Sequence, residues 1–438
     1  MPLIGEAYAA SLFARMEWNG RRLHFVGIAG AGLSAYAIAA RALGAQVTGS
    51  DRAESPYLAR VREAGIEPAI GHDAANLPGG DGVEVVRSTA IPLDNPELVA
   101  AAERGVPVLS RAEFLAQLTR EKRTIAVAGA HGKTTTSSMV AHALLACGLD
   151  PAYLIGGTLS TTGTNGAWGT GPLVVEADES DRSFLALDTD VAVVTNVELY
   201  HHTEYAGEHD LRAAFARFVA GASTAVLPAD DAGVLALAGE TDVVAFGPWT
   251  GPDLAVPGEH NRRNASAALE ACVLAGADRA QATEALTTFR GAGRRFEPLG
   301  RTAGGAHVVD DYAHHPTEVA ATIQAARSLG YRRVVAVFQP HLFSRTQHLA
   351  RRFGEALAAA DVPALLEVYP ARERQEDFPG VTGRLIAEHA ADAGNPNVLW
   401  LRDFDSAERV LGGLLRQGDL LLVIGAGDVD ALGRRLVT

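Results

Sequence analysis

The chain has 438 residues, 47% hydrophobic and 21% charged, with 46 glycines, which leaves room for two to four domains, each with its own core. A formal charge of −14 excludes general nucleic-acid affinity, which needs a basic face, and leaves any anionic substrate to local cations and backbone amides. No apolar run reaches the ~18 residues needed to cross a bilayer, so no membrane insertion is expected.

Glu6, Arg15 and Glu17 interrupt the apolar residues at the N-terminus, which argues against a signal peptide. Cys147 and Cys272 lie in apolar helical runs and read as core thiols of a reducing compartment. A cytoplasmic protein is expected.

Residues 22–118 alternate apolar runs (23–28, 45–51, 83–91 and 106–110) with helical patterns, the rhythm of a parallel sheet with crossover helices. The first turn, Gly27, Ile28, Ala29, Gly30, Ala31 and Gly32, lies between a strand and a helix, and Asp51 ends the next strand. This imitates a dinucleotide-binding fingerprint with its ribose-binding acid, although Ala29 replaces the middle glycine. A nicotinamide cofactor, or a diphosphate on another carrier, fits the same loop physics.

Residues 124–128 predict a buried strand, followed by a tight turn of Gly129, Ala130, His131 and Gly132. Lys133, Thr134, Thr135 and Thr136 then open a helical pattern. Strand, small-residue turn and helix headed by Lys and Thr is a phosphate cradle: backbone amides face the anion, the lysine adds a point charge, and a threonine hydroxyl reaches Mg²⁺. Val127 stands where the common nucleotide loop has its first glycine. Lys122 and Lys133 are the only lysines among 38 basic residues. A lysine kept directly after Gly132 in so arginine-rich a chain points to a need for a compact ammonium.

Glu176, Asp178, Glu179 and Asp181 cluster at the end of a predicted strand over 172–181, where ligands bind in parallel α/β sheets. His201 and His202 follow the next strand, 190–198. A carboxylate with the loop threonine suits Mg²⁺, and a histidine can complete a second divalent site. Helical patterns near 209–220 and 261–276 come next. Asn261 and Asn264, one turn apart, read either as a helix cap and its neighbour or as nucleotide contacts. Gly291 and Gly293 mark a hinge before Arg294 and Arg295.

The remaining strands are predicted at 307–312, 333–340, 363–369, 398–401 and 419–427. Asp310, Asp311, Tyr312, His314 and His315 concentrate at one strand end, and His341 and Arg345 at another. The histidines read as a metal centre only if further ligands join them. His341 and Arg345 suit a carboxylate or phosphate.

Taken in order, GIAGAG with GSD, AGAHGKTTT, VEADESDRSF, TNVE with His201, GEHNRRNA, GRRFE, DDYAHHPTE, FQPHLFSRT and GAGD cover residues 22–428 and resemble the Mur ligase family. The resemblance is strongest to the branch that adds L-alanine to UDP-N-acetylmuramate. It implies three α/β domains: a Rossmann-like N-terminal domain (1–119) for the UDP-sugar, a central P-loop ATPase-type domain (120–292), and a C-terminal Rossmann-like domain (293–438) that closes over nucleotide and receives the amino acid.

The implied catalytic set is Lys133, Glu176, His201, Arg295 and Asp311. ATP would be held by Gly129 to Thr135, namely Gly129, Ala130, His131, Gly132, Lys133, Thr134 and Thr135, with Asn261, Asn264, Arg295 and Asp311. Thr134, Glu176 and His201 would hold Mg²⁺. Gly27, Ala29, Gly30, Ala31, Gly32, Ser50, Asp51 and Ser88 would hold the UDP-sugar, and Tyr312, His341 and Arg345 the amino acid. A monomer or homodimer is expected.

Three departures stand out: Tyr200 where the family usually has Asp, Leu342 where Arg is common, and a shortened stretch between His201 and Asn261. The rival readings are the family's tripeptide-adding recycling ligase, a nicotinamide-dependent oxidoreductase, and a nucleotide-gated binding protein with decayed catalysis. Ser180, where the recycling enzyme typically has Tyr, favours the single-residue ligase.

Overall fold

The β-branched and aliphatic runs become the strands of three separate sheets in the computed structural model, which describes residues 17–198 and 204–437. The first sheet is built from β1 (Arg22–Val26), β2 (Gln46–Asp51), β3 (Ala69–Ile70), β4 (Val83–Arg87) and β5 (Val108–Ser110). Its order is β3-β2-β1-β4-β5, and every pair is parallel. The chain leaves β1 toward β2 on one side and meets β4 on the other, so the crevice at the carboxyl end of β1 is the switch point where such sheets bind ligands. The predicted strand over 83–91 stops at Arg87, because Ser88 turns the chain: its amide bonds Val26 O and its hydroxyl accepts from Ala90 N.

The second sheet centres on β6 (Thr124–Ala128), whose five residues are all buried. With β7 (Ala152–Leu159), β8 (Thr164–Ala167), β9 (Leu173–Glu176), β10 (Val191–Val194), β11 (Thr224–Pro228) and β12 (Asp242–Phe246), its order is β12-β11-β10-β6-β9-β7-β8. Only the β7–β8 pair is antiparallel. β9 ends at Glu176, well before the predicted 181, and leaves residues 177–181 as a loop at the sheet's carboxyl edge. The stretch expected to be shortened still supplies β11 and β12.

The third sheet holds β13 (Glu297–Arg301), β14 (His307–Asp311), β15 (Arg333–Phe338), β16 (Val362–Leu365), β17 (Leu399–Trp400) and β18 (Asp419–Ile424), in the order β13-β14-β18-β15-β16-β17. β13 runs antiparallel on the edge and the rest are parallel. β18, buried at all six residues, lies between β14 and β15.

The chain divides into two compact units. One runs to Pro252 and takes in Asn264–Thr288, and so contains the first two sheets; the other holds Asp253–Arg263 and the described residues from Phe289 on. Within the first unit a single apolar core joins both sheets. The helix Ala31–Ala42 packs so closely on β8 that a Cβ on Gly166 would lie 2.5 Å from Ala35 Cβ, and Asn165 donates to Ala31 O. Both cysteines are free, with Cys272 buried against Val140 O. No helix among the described residues is long and apolar enough to cross a membrane.

Candidate active site

The turn after β6 needs glycine at two points. Gly129 has φ 138° and Gly132 φ 82°, values that side chains with a Cβ rarely adopt. A Cβ on Gly129 would also collide with Thr195 Oγ1, and one on Gly132 would lie 2.5 Å from Asn264 Oδ1. Gly132 caps the helix Lys133–Ala146 without any side-chain bond, so the first amides of that helix have no capping side chain and suit an anion.

The segment after β10 holds this loop in place. Asn196 Oδ1 accepts from His131 N at 3.0 Å, and Asn196 Nδ2 donates to His131 O at 2.9 Å. Thr195 Oγ1 donates to the same carbonyl at 2.6 Å, and His131 Nε2 lies 2.9 Å from Glu198 Oε2. Sequence reading had singled out this TNVE block without a role for these three side chains.

Lys133 Nζ donates to Gly129 O at 2.7 Å and to Glu179 Oε2 at 2.9 Å. Burial opposes its charge, but the carboxylates of Glu179, Asp178 and Glu176 outweigh that and raise its pKa. Glu179, 2% exposed, is pushed up by its own burial against the pull of Lys133. Asp178 is held low despite burial, by Lys133, the Ser180 amide and hydroxyl, and Arg111.

Thr134 Oγ1 donates to Glu176 Oε2 at 2.9 Å, and Gly156 N donates to the same oxygen at 2.9 Å. A Cβ on Gly156 would lie 2.5 Å from Glu176 Oε2, so a side chain there would push the carboxylate from this position. The hydroxyl of Thr134 and the carboxylate of Glu176 form an all-oxygen donor pair that fits a hard cation. His201 and Tyr200 lie outside the described residues.

The glycine loop of the first sheet is braced by the acid expected to bind ribose. Asp51 Oδ2 accepts from Ala29 N at 2.8 Å, and Ser50 O accepts from Gly27 N and Ile28 N. One oxygen of Asp51 is thus used to shape the loop. Ser50 Oγ donates at 2.7 Å to Glu97, a fully buried carboxylate that also meets His24 and His72.

Gly27 turns at φ 91°, with Ser88 Cβ 3.0 Å from where its own Cβ would be. Gly30 leaves the helix Ala31–Ala42 without a side-chain cap. Arg111, not anticipated, lies 3.2 Å by its Nε from the Cβ position of Gly32 and 3.3 Å from Tyr36 OH. Its guanidinium is favoured by the phenol of Tyr36 and by Asp178 and Glu176 against the cost of burial. Arg111 thus links the first sheet's glycine loop to the second sheet's acids.

In the second unit, β14 ends in Asp310 and Asp311, both buried. Asp311 accepts from Phe296 N and Ala313 N at 2.8 Å each; burial raises its pKa, opposed by the Arg295 charge and these amides. Tyr312 lies under both Arg294 and Arg295, with ring-to-guanidinium distances of 5.0 and 5.2 Å. His315 caps the helix Pro316–Ser328, its Nδ1 accepting from Thr317 N at 3.4 Å.

Burial, aided by the charge of Arg345, depresses His314 to about 3 and His341 to about 4, so both are neutral at pH 7. His341 stacks on Tyr369, with 5.6 Å between ring centroids, and its Nδ1 is buried with no partner among the described residues. Tyr312, His314 and His341 form a chain of edge-to-face rings. Leu342 occupies a left-handed conformation (φ 71°) at the start of the helix Phe343–Leu357, its amide bonded to Tyr369 O. Asn261 is not a helix cap: it lies inside the helix Glu259–Leu274, and its Nδ2 donates to Pro257 O at 2.6 Å.

Comparison with known proteins agrees with this geometry. Residues 22–123 match the Mur ligase family, catalytic domain, residues 127–251 the Mur ligase middle domain, and residues 294–427 the Mur ligase, glutamate ligase domain. The UDP-N-acetylmuramate–L-alanine ligase of Kineococcus radiotolerans is 47% identical over 449 residues, covering 94% of each chain. That of Saccharopolyspora erythraea is 44% identical over 98% of this chain and 94% of its own.

The crystal structure of the UDP-N-acetylmuramate-alanine ligase of Thermotoga maritima superposes with a TM-score of 0.79 at 29% identity, over 95% of this chain and 98% of that one. A murein peptide ligase from Psychrobacter arcticus shares the fold, with a TM-score of 0.69 at 23% identity over 95% of this chain and 98% of that one. Three domain matches in order, together with full-length relatives above 40% identity, place the chain in the Mur ligase family.

Proposed function

We propose that the chain uses MgATP to join L-alanine to the lactyl carboxylate of UDP-N-acetylmuramate, a step in the assembly of peptidoglycan precursors. The observation that carries this reading is the pair at the phosphate loop: Lys133 on Glu179 and Thr134 on Glu176, in a chain that aligns end to end with ligases of that name. The proposed domains are residues 1–119 for the UDP-sugar, 120–292 for ATP, and 293–438 for nucleotide closure and the amino acid.

A carboxylate does not react with an amine until one of its oxygens becomes a leaving group. The carboxylate attacks the γ-phosphorus of ATP, the bond to the β–γ bridging oxygen breaks, and ADP leaves. The amine of L-alanine then attacks the acyl carbon of the resulting acyl phosphate, the tetrahedral adduct expels phosphate, and the amine proton passes to solvent or a nearby base. Such chemistry needs positioning and charge neutralisation more than a protein nucleophile.

Lys133 is the cation for the β- and γ-phosphates, freed from Glu179 when they arrive. The amides opening the helix Lys133–Ala146 hold the same anion. Thr134 and Glu176, with His201, are the residues that would hold Mg²⁺, which supplies charge neutralisation to the phosphates when bound. Asn261, Asn264, Arg295 and Asp311 serve the nucleotide. The glycine loop of the first sheet, with Ser88, takes the diphosphate of the UDP-sugar. Arg345, flanked by neutral imidazoles that do not compete for an anion, takes the carboxylate of L-alanine near Tyr312 and His341.

The experiment is product identification by mass after incubation with UDP-N-acetylmuramate and MgATP, offering L-alanine, glycine, L-serine or the tripeptide of the recycling ligase. The reading predicts ADP, phosphate and an L-alanine adduct formed with the highest kcat/KM. Preference for the tripeptide would replace it with the recycling reaction. Nucleotide and UDP-sugar binding without any adduct would replace it with a binding protein.

A further inference from the structure

The two arginines after Gly293 have unlike surroundings. Arg294 does not face outward as half of a basic pair. Its Nε donates to Asp310 Oδ2 at 3.0 Å, its Nη2 to Gly425 O at 2.7 Å and its Nη1 to Gly427 O at 3.0 Å, with Asp430 Oδ1 3.7 Å from Nη1. Its backbone is held as well: Arg294 O accepts from Tyr312 N at 2.7 Å, and Arg294 N donates to Glu297 Oε2 at 2.8 Å. One residue thus ties the turn after Gly293 to the end of β14 and to the loop that follows β18.

The turn itself is strained. Arg294 (φ 57°) and Phe296 (φ 52°) both adopt left-handed conformations on either side of Arg295, an arrangement that residues with a Cβ hold only where their surroundings enforce it. The enforcing contacts are the Arg294 fork on one side and the Phe296 amide on Asp311 Oδ2 on the other. Between these fixed ends Arg295 stands over Tyr312 and acts electrostatically on Asp311.

We propose that Arg294 is a positioning residue for the ligation reaction: its three-way strap on Asp310 and the carbonyls of Gly425 and Gly427 holds the strained turn that presents Arg295 to the phosphates. The proposal rests on the reading of Arg295 as a phosphate-binding cation. Lysine cannot replace the strap, because an ammonium lacks the planar fork that meets a carboxylate and two separate carbonyls together. Displacing a catalytic group by about 1 Å costs on the order of 100-fold in rate, so the strap's effect should appear in kcat.

The test uses the full chain as Arg294→Gln, Arg294→Lys, Arg295→Ala and the double variant Arg294→Gln/Arg295→Ala. It measures kcat, KM for ATP and for UDP-N-acetylmuramate, and the thermal midpoint. Arg294→Gln should lower kcat roughly 10- to 100-fold with KM for the UDP-sugar within about twofold of wild type. Arg294→Lys, which keeps a cation beside Asp310, should fold and recover only part of the rate. In the Arg295→Ala background the glutamine should cost little more, since the group it positions is gone.

Losses that multiply in the double variant would overturn the proposal, as would wild-type kcat for Arg294→Gln beside a crippled Arg295→Ala. Wild-type kcat for Arg295→Ala would overturn the role of Arg295 and this proposal together.

Discussion

Lys133 and Glu179 are worth most together. The ammonium is mostly buried and the carboxylate almost fully so, and removing one partner of such a pair strands the other at a cost of about 3–5 kcal/mol. Lys133→Ala should therefore lose about 100- to 1,000-fold in kcat from the missing phosphate cation, and stability as well.

That stability loss has a sign in pH. Glu179 already sits above its ordinary 4.5 because of burial, and without Lys133 it rises further. Above 4.5 the native variant then holds a proton that the unfolded chain has released, so its stability falls as pH rises. The deficit in thermal midpoint against wild type should therefore widen as pH is raised from 4.5. Lys133→Ala/Glu179→Gln should regain the midpoint but not the rate. A deficit independent of pH would show that Glu179 is not left charged and buried.

Asp310 offers a second pH test. Burial pushes it up to about 6, against the attraction of Arg294 and with Asp430 and Asp311 adding to the rise. Protonation below pH 6 removes the charge that Arg294 grips, so kcat should fall there. Asp310→Asn should show that reduced kcat at every pH between 6 and 8. An acid limb unchanged in Asp310→Asn would assign it to another group.

At the level of elements, the phosphate loop is a local feature completed by distant ones. Strand, glycine turn and helix are contiguous, which is why β6 and the helix after Gly132 were legible in the sequence. The brace formed by Thr195 and Asn196 was not, because it acts across about 65 residues through backbone groups of His131 that no side-chain pattern reports. Asn196→Ala should raise KM for ATP by up to about 30-fold, since it loosens the loop by two hydrogen bonds of roughly 1 kcal/mol each. An unchanged KM would show that the turn holds itself.

Gly156 lies on β7, two strands from β6, and carries no side chain to mark it in the sequence. Its amide holds Glu176, and a methyl there would displace that carboxylate. Gly156→Ala should raise the Mg²⁺ concentration needed for half-maximal rate, measured by metal titration at saturating ATP. A wild-type titration curve would remove Glu176 from the metal site.

On the scale of the whole molecule, alternating apolar runs and helical patterns made three parallel-type α/β sheets readable, because buried parallel strands are written as continuous Val, Ile, Leu and Ala runs. What escaped were the edge and short strands β8, β12 and β13, whose exposed or glycine-containing residues carry little apolar signal, and also β7 and β11, buried runs that a helix segment could equally have supplied. The pairing of the phosphate loop with the acids after β9 was legible where particular residue types stand together in the sequence, as with Lys133 beside Thr134 and Glu176 near Glu179. The site was illegible where a residue acts through tertiary contact: Arg111 against Gly32, Asp51 on Ala29, and Arg294 on the loop after β18.

The account's central claim is that this chain forms an amide bond through phosphate activation centred on Lys133. Phosphate release measured with UDP-N-acetylmuramate, MgATP and L-alanine, omitting each in turn and repeated with Lys133→Ala, tests it most directly. The account predicts sustained release only when all three are present, and loss of about 100-fold or more in the variant. Release that proceeds without L-alanine at the full rate, or at the wild-type rate in Lys133→Ala, would contradict it.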